Sequence, residues 1–141
     1  MLFEKMSNSL VIFFGIGRGG KIASEFYGQN LGLKYDTIHM YIDQKKVENK
    51  RSNENFDLEK IRVLLGGQNY CIKEKEVEGV LKGIDFSYLK DIYGDEFKSF
   101  KNLLRQLYIL QKFSSLKEIG NYKNYIFVRD DTITKLKFTD V

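Results

Sequence analysis

Five consecutive apolar residues, Leu10-Val11-Ile12-Phe13-Phe14, are cut off by Gly15 and followed at once by Gly17, Gly19 and Gly20. A short run without polar alternation reads as a strand covered on both faces, which is the situation of a parallel strand flanked by crossover helices. Glycines directly after such a strand make a tight turn. A helix signal comes next: Ile22, Ala23, Phe26 and Tyr27 fall at helical spacing over Lys21–Asn30, with Gly28 and Gly32 as terminators. Thr37–Ile42, β-branched and aromatic, then supplies a second strand that ends at Asp43. Strand, helix and strand in that order predict a β-α-β unit, and hence an α/β domain with a mainly parallel sheet and flanking helices.

Downstream the signals are weaker. Gln44–Asp57 has almost no apolar residues and predicts a solvated loop. Asp57 is placed to cap a short helix carrying Leu58, Ile61, Leu64 and Leu65, which Gly66-Gly67 breaks before a strand over Asn69–Ile72. Lys73–Asp95 is polar and interrupted by Gly79, Gly83 and Gly94, so it reads as a connection or flap. The longest helical pattern covers Ser99–Ile119, with Phe100, Leu103, Leu104, Leu107, Leu110 and Ile119 as the stripe expected to cross the sheet. Gly120 ends it, Tyr125–Val128 forms another buried strand that runs into Arg129-Asp130-Asp131, and Thr132–Phe138 reads as one more short strand.

With 43% hydrophobic residues over 141 positions, the chain can bury one core, and residues 1–141 are read as one domain. The charge excess of +4 is dispersed among acids, so no nucleic-acid interface is expected. The single Cys71 has no partner for an internal disulfide and reads as a core thiol in a reducing compartment. The run at Leu10–Phe14 falls far short of the roughly 20 residues that span a bilayer. No secretory leader pattern opens the chain. The expectation is a cytoplasmic protein with no transmembrane segment.

Three constellations carry candidate chemistry. Gly15-Ile16-Gly17-Arg18-Gly19-Gly20 matches the dinucleotide pattern G-x-G-x-x-G between a strand and a helix, and Asp43 ends the next strand near where a ribose-binding acid belongs. The same glycines also suit any strand-to-helix turn, and Arg18 would crowd a pyrophosphate. Asp130 and Asp131 at a strand's carboxyl end offer the hard oxygen ligands of a divalent metal, or else a turn with an ion pair to Arg129. His39 alternates away from Ile38, Met40 and Ile42 and reads as a satisfied structural histidine, since no nucleophile accompanies it. Lys45-Lys46 with Lys50-Arg51 reads as a solvated loop.

Taken in order, these pieces resemble the small GT-A-type glycosyltransferases of bacteria and large viruses. The resemblance rests on Val11–Gly15 with Arg18, on Tyr35-Asp36 leading into the strand to Asp43, and on Arg51–Asn55 in the polar loop. It also rests on Asn102–Leu110 as the family's long helix and on Tyr125–Asp131 as its strand ending in Arg-Pro-Asp, with Asp130 standing where Pro is usual. The resemblance implies a GT-A/Rossmann-like nucleotide-binding domain that transfers a sugar from a nucleotide-sugar to an acceptor hydroxyl on a glycan, lipid or protein. It implies Mg²⁺ or Mn²⁺ held on the diphosphate by Asp131, with Asp130 beside it, and a nucleotide pocket lined by Arg18 and Gly15. No catalytic residue is assigned. Only about ten residues follow Asp131, so a full acceptor-binding C-terminal part is expected to be lacking. The alternatives are a Rossmann-type NAD or nucleotide binder using Gly15, Gly17, Gly20 and Asp43, and a non-catalytic remnant.

Overall fold

A computed structural model describes residues 8–30, 34–49, 54–116 and 122–131. The apolar run becomes β1 (Ser9–Gly15), the glycine turn leads into α1 (Gly20–Asn30), and β2 (Asp36–Ile42) returns beside β1 in parallel, with Ile12 opposite Ile38. β5 (Gln68–Ile72) pairs parallel with β2, and β6 (Asn124–Arg129) pairs parallel with β1 on its other side. The sheet order is therefore β5-β2-β1-β6. From β1 the chain steps outward to β2 and β5, then crosses back to lay down β6 on the opposite flank. The chain thus leaves β1 toward β2 on one side while β6 lies on the other, and a cleft opens at the carboxyl ends of β1 and β6.

Each face of the sheet has its own apolar layer. On one, Val11, Phe13, Tyr35 and Val128 pack with Ala23 and Tyr27 of α1. On the other, Leu10, Ile12, Met40, Ile42 and Ile72 pack with two further helices, α3 (Glu74–Lys82) through Val77 and Leu81, and α4 (Lys98–Phe113) through Ile109 and Phe113. No helix among the described residues is long and apolar enough to cross a membrane.

Four expectations need correction. Gln44–Asp57 is not merely loop: β3 (Lys46–Asn49) and β4 (Glu54–Asp57) pair antiparallel, and Val47 is buried. Backbone pairing supplies there what apolar content does not. Asp57 does cap α2 (Leu58–Ile61), accepting from the Glu59 N–H at 2.9 Å, but the helix stops before Leu64 and Leu65. The 73–95 stretch contains a real helix, α3, whose first free amide, at Glu74, is met by the Asp43 carboxylate at 2.6 Å from the end of β2. Cys71 is exposed, because β5 is the edge strand and Cys71 shares its face with Tyr41, while α1 covers β1. The candidate strand at Thr132–Phe138 lies outside the described residues.

A further correction concerns α4, which ends at Phe113 and turns a different side to the sheet from the one expected. Leu103 and Leu107 are 49% and 51% exposed, whereas Ile109 is 1% exposed. The buried line runs through Ile109 and Phe113, one turn apart. Ile109→Ala should accordingly lose about 2–5 kcal/mol of stability through the cavity it leaves. Leu107→Ala should stay within about 0.5 kcal/mol, as exposed positions do. Urea denaturation of both variants measures the difference, and equal losses would mean that the helix face is wrongly assigned.

Candidate functional site

At the end of β6 the chain turns, and the two carboxylates go different ways. Asp130 is 2% exposed, and its amide still bonds the Phe14 carbonyl at 3.0 Å, which holds it in the ladder beside β1. Its Oδ2 accepts from the Gly17 N–H at 2.8 Å and from His39 Nε2 at 2.8 Å. On the other side of the imidazole, Nδ1 accepts the Leu65 N–H at 3.1 Å. An acceptor role at Nδ1 places the ring proton on Nε2, which donates to the Asp130 carboxylate. His39 is wholly buried on β2 while Asp130 follows β6, so this bond passes across β1, the strand between them.

Glycine makes that passage possible. A Cβ at Gly15, where φ is +144°, would stand 2.4 Å from Asp130 Oδ1, and one at Gly19 would stand 2.2 Å from the Asp130 carbonyl oxygen. The glycine-rich loop is therefore wrapped around the protein's own carboxylate. The amide of Gly17, which in a dinucleotide site would face a phosphate, already has its anion.

Arg62, which the sequence reading did not single out, clasps the other side of the loop. Its Nε donates to the Ile16 carbonyl at 2.9 Å, its Nη2 donates to the carbonyls of Ile42 and Gln44, and its guanidinium lies 5.2 Å from the centre of the Tyr41 ring. It ties the ends of β1 and β2 together through backbone carbonyls, a role that no spacing pattern signals.

Asp131 points to the mouth of a cleft. Its Oδ2 accepts from Arg18 Nε at 2.7 Å and from Arg129 Nη2 at 2.9 Å. The cleft, about 790 Å³, opens at the carboxyl ends of β1 and β6 and is roofed by α4. Gly15, Arg18, Asp130 and Asp131 all line it, so the first loop and the acidic turn do share one edge of the sheet. Six cationic side chains line it too: Arg18, Lys46, Lys98, Lys101, Arg105 and Arg129. Lys46 belongs to a segment read as solvated loop, and Lys98 and Lys101 were not anticipated.

Two sequence candidates are placed elsewhere. Asp43 gives Oδ1 to the start of α3 and has Oδ2 3.6 Å from Lys73 Nζ. Gly20 packs against the Ile61 carbonyl. Neither Gly17, Gly20 nor Asp43 is part of the cleft lining.

The donor set does not make a ready divalent-ion site. Asp130 spends its Oδ2 inward on His39 and Gly17, and Asp131 holds two guanidinium groups on one oxygen. Among the described residues no group of three or more His, Cys, Asp or Glu is arranged to hold a metal.

No family model matches the chain, and no solved structure matches it. Among curated proteins it is similar to the DNA-directed RNA polymerase subunit beta'' of Bigelowiella natans, 31% identical over 128 residues that cover 79% of this chain. The chain spans about 8% of the length of that relative.

The two acids should separate cleanly in stability. Asp130→Ala leaves the Gly17 N–H and the His39 Nε2–H without their acceptor inside the protein, at roughly 1–3 kcal/mol for each orphaned donor. Asp131→Asn, at the cleft mouth, should cost less than about 1 kcal/mol. Guanidinium unfolding of the two variants reads this directly, and the reverse order would show that Asp130 is not the buried anchor.

Proposed function

We propose that the cleft binds a nucleotide-sugar and that the chain transfers the sugar to an acceptor hydroxyl, as the resemblance to GT-A-type glycosyltransferases implies. The observation that carries this reading is the charge of the cleft at the point where the sheet order reverses: six cationic side chains against two carboxylates, one of them buried. Ligands of open α/β sheets bind outside the carboxyl ends of the strands at such a point, and this volume falls within the range of small-molecule sites. The excess of positive charge calls for a strongly anionic ligand, and a nucleoside diphosphate group is one.

In the proposed reaction the bond from the anomeric carbon to the diphosphate oxygen breaks, and a bond from that carbon to the acceptor oxygen forms. The acceptor's proton passes to a general base, and the nucleoside diphosphate leaves with the bonding electron pair. Such a step needs stabilisation of charge on the leaving group more than a covalent nucleophile. Arg18, Arg129 and the cations of α4 are the groups that supply it. Phe14, Ile16 and Ile42 give the cleft apolar wall beside the charged groups. The dinucleotide alternative draws less support, because the Gly17 amide is bonded to Asp130 and Asp43 is bonded to α3.

The test is calorimetric titration of UDP-sugars, other nucleotide-sugars and NAD, each with Mn²⁺ and with chelator, followed by assay of nucleoside diphosphate release. At least one nucleotide-sugar should bind and be slowly hydrolysed, while NAD should not bind. Arg18→Ala should weaken the nucleotide-sugar about tenfold, the loss of one charge-assisted contact. Binding of NAD with no binding of any nucleotide-sugar would overturn the reading.

A further inference from the structure

One face of α4 changes chemistry along its length. Phe113 and Ile109 lie on the apolar core, and the same line continues at helical spacing through Arg105, Lys101 and Lys98 toward the N-terminus of the helix. Where the helix crosses the sheet this face is apolar, and where it overhangs the carboxyl edge it is cationic. All three cations line the cleft.

Arg105 is the most telling of them. It is half-buried, and burial pulls its guanidinium pKa below the usual arginine range, against the pull of Glu74 and Glu78. One of its nitrogens, Nη1, donates to Asn102 Oδ1 at 2.9 Å, but Nε is buried with no hydrogen-bond partner among the described residues. Among the described residues no carboxylate lies within ion-pair distance of it. A buried, charged donor without an acceptor is costly, and it is made good when an anion arrives. The guanidinium fork suits two oxygens of a phosphate. Lys101, with its ammonium 5.3 Å from the centre of the Phe86 ring, is held beside it rather than swinging free.

We propose that Lys98, Lys101 and Arg105 form the diphosphate-binding row of the cleft, and that this row neutralises the diphosphate in place of a divalent cation. The proposal rests on the nucleotide-sugar reading for the identity of the ligand, and on the ion-paired state of Asp131 for the absence of a metal role. Charge that a metal ion would bring from solvent is here built into one helix, with Arg18 and Arg129 across the cleft from it.

Titration of inorganic pyrophosphate and of UDP into the full chain, with excess chelator and with Mn²⁺, tests it. Both ligands should bind under chelator, with affinity changed less than about threefold by Mn²⁺ and falling as salt is raised. Arg105→Gln should weaken both by about tenfold to a hundredfold, the range of a lost charge-assisted hydrogen bond, and Lys101→Gln by less. Arg105→Lys, which keeps charge but not the fork, should fall between wild type and Arg105→Gln. Thermal unfolding without ligand separates binding from folding: the Arg105 variants should melt no lower than wild type, since they relieve a buried unpaired donor. Pyrophosphate binding that needs Mn²⁺, or that is indifferent to Arg105→Gln, overturns the proposal and leaves the nucleotide-sugar reading standing. Pyrophosphate binding that follows these expectations while no nucleotide-sugar binds supports the row and removes the sugar-transfer reading. Absence of binding by either ligand overturns both.

Discussion

A single carboxylate oxygen organises the edge of this sheet. Asp130 Oδ2 accepts a hydrogen bond from the His39 ring N–H on one side and from the Gly17 amide on another, and the bond to His39 passes across the strand that separates them. Burying a carboxyl group is expensive unless hydrogen bonds surround it, so its partners must be held in place. The Leu65 amide fixes the imidazole tautomer, and the absence of side chains at Gly15 and Gly19 leaves room for the acid. Strand ends that a parallel sheet would leave to fray are thereby drawn together from β2 to β6.

The rest of the site follows from this anchoring. With Asp130 turned inward, its neighbour Asp131 faces the cleft mouth, and there two arginines take up its charge. The cleft is left with a cationic wall, because the acids near it are committed either inward or to ion pairs. Arg62 closes the far side of the first loop onto carbonyls at the end of β2, so the loop has little freedom to rearrange around a ligand. Recognition is left to side chains that border the cleft, chiefly those of α4, and less to the glycine-loop amides.

The departures from the sequence reading share a cause. The pairing of β3 with β4 and the helix α3 lie where polar residues dominate: the first is held by its backbone ladder, and the second by the Asp43 carboxylate at its first amide together with just two buried apolar residues, Val77 and Leu81. Asp43 was a natural ribose ligand by position, yet its carboxylate serves the first amide of α3, 31 residues further along the chain. In α4 the leucines outnumber other apolar residues on one side, and the sheet nevertheless covers Ile109 and Phe113. A stripe read from spacing alone weighs every apolar residue equally, while packing weighs only those that overhang the strands.

What local pattern could determine, it determined: the strands over Leu10–Phe14, Thr37–Ile42 and Tyr125–Val128, the helix after the glycine turn, and the meeting of that turn with Asp131 at one edge; the last strand was expected to be buried, but it lies at the edge of the sheet and leaves Phe127 44% exposed. Side-chain periodicity and turn chemistry act over a few residues, and parallel strands must bring their carboxyl ends to the same side. Tertiary structure alone decided which of two adjacent acids is buried, that His39 is its donor from 91 positions away, and that Arg62 closes the loop. It also placed the cations of α4 over the cleft. Those choices depend on where whole elements come to rest against each other, and hydrogen bonds between groups so distant in the chain leave no periodic trace in the order of residues.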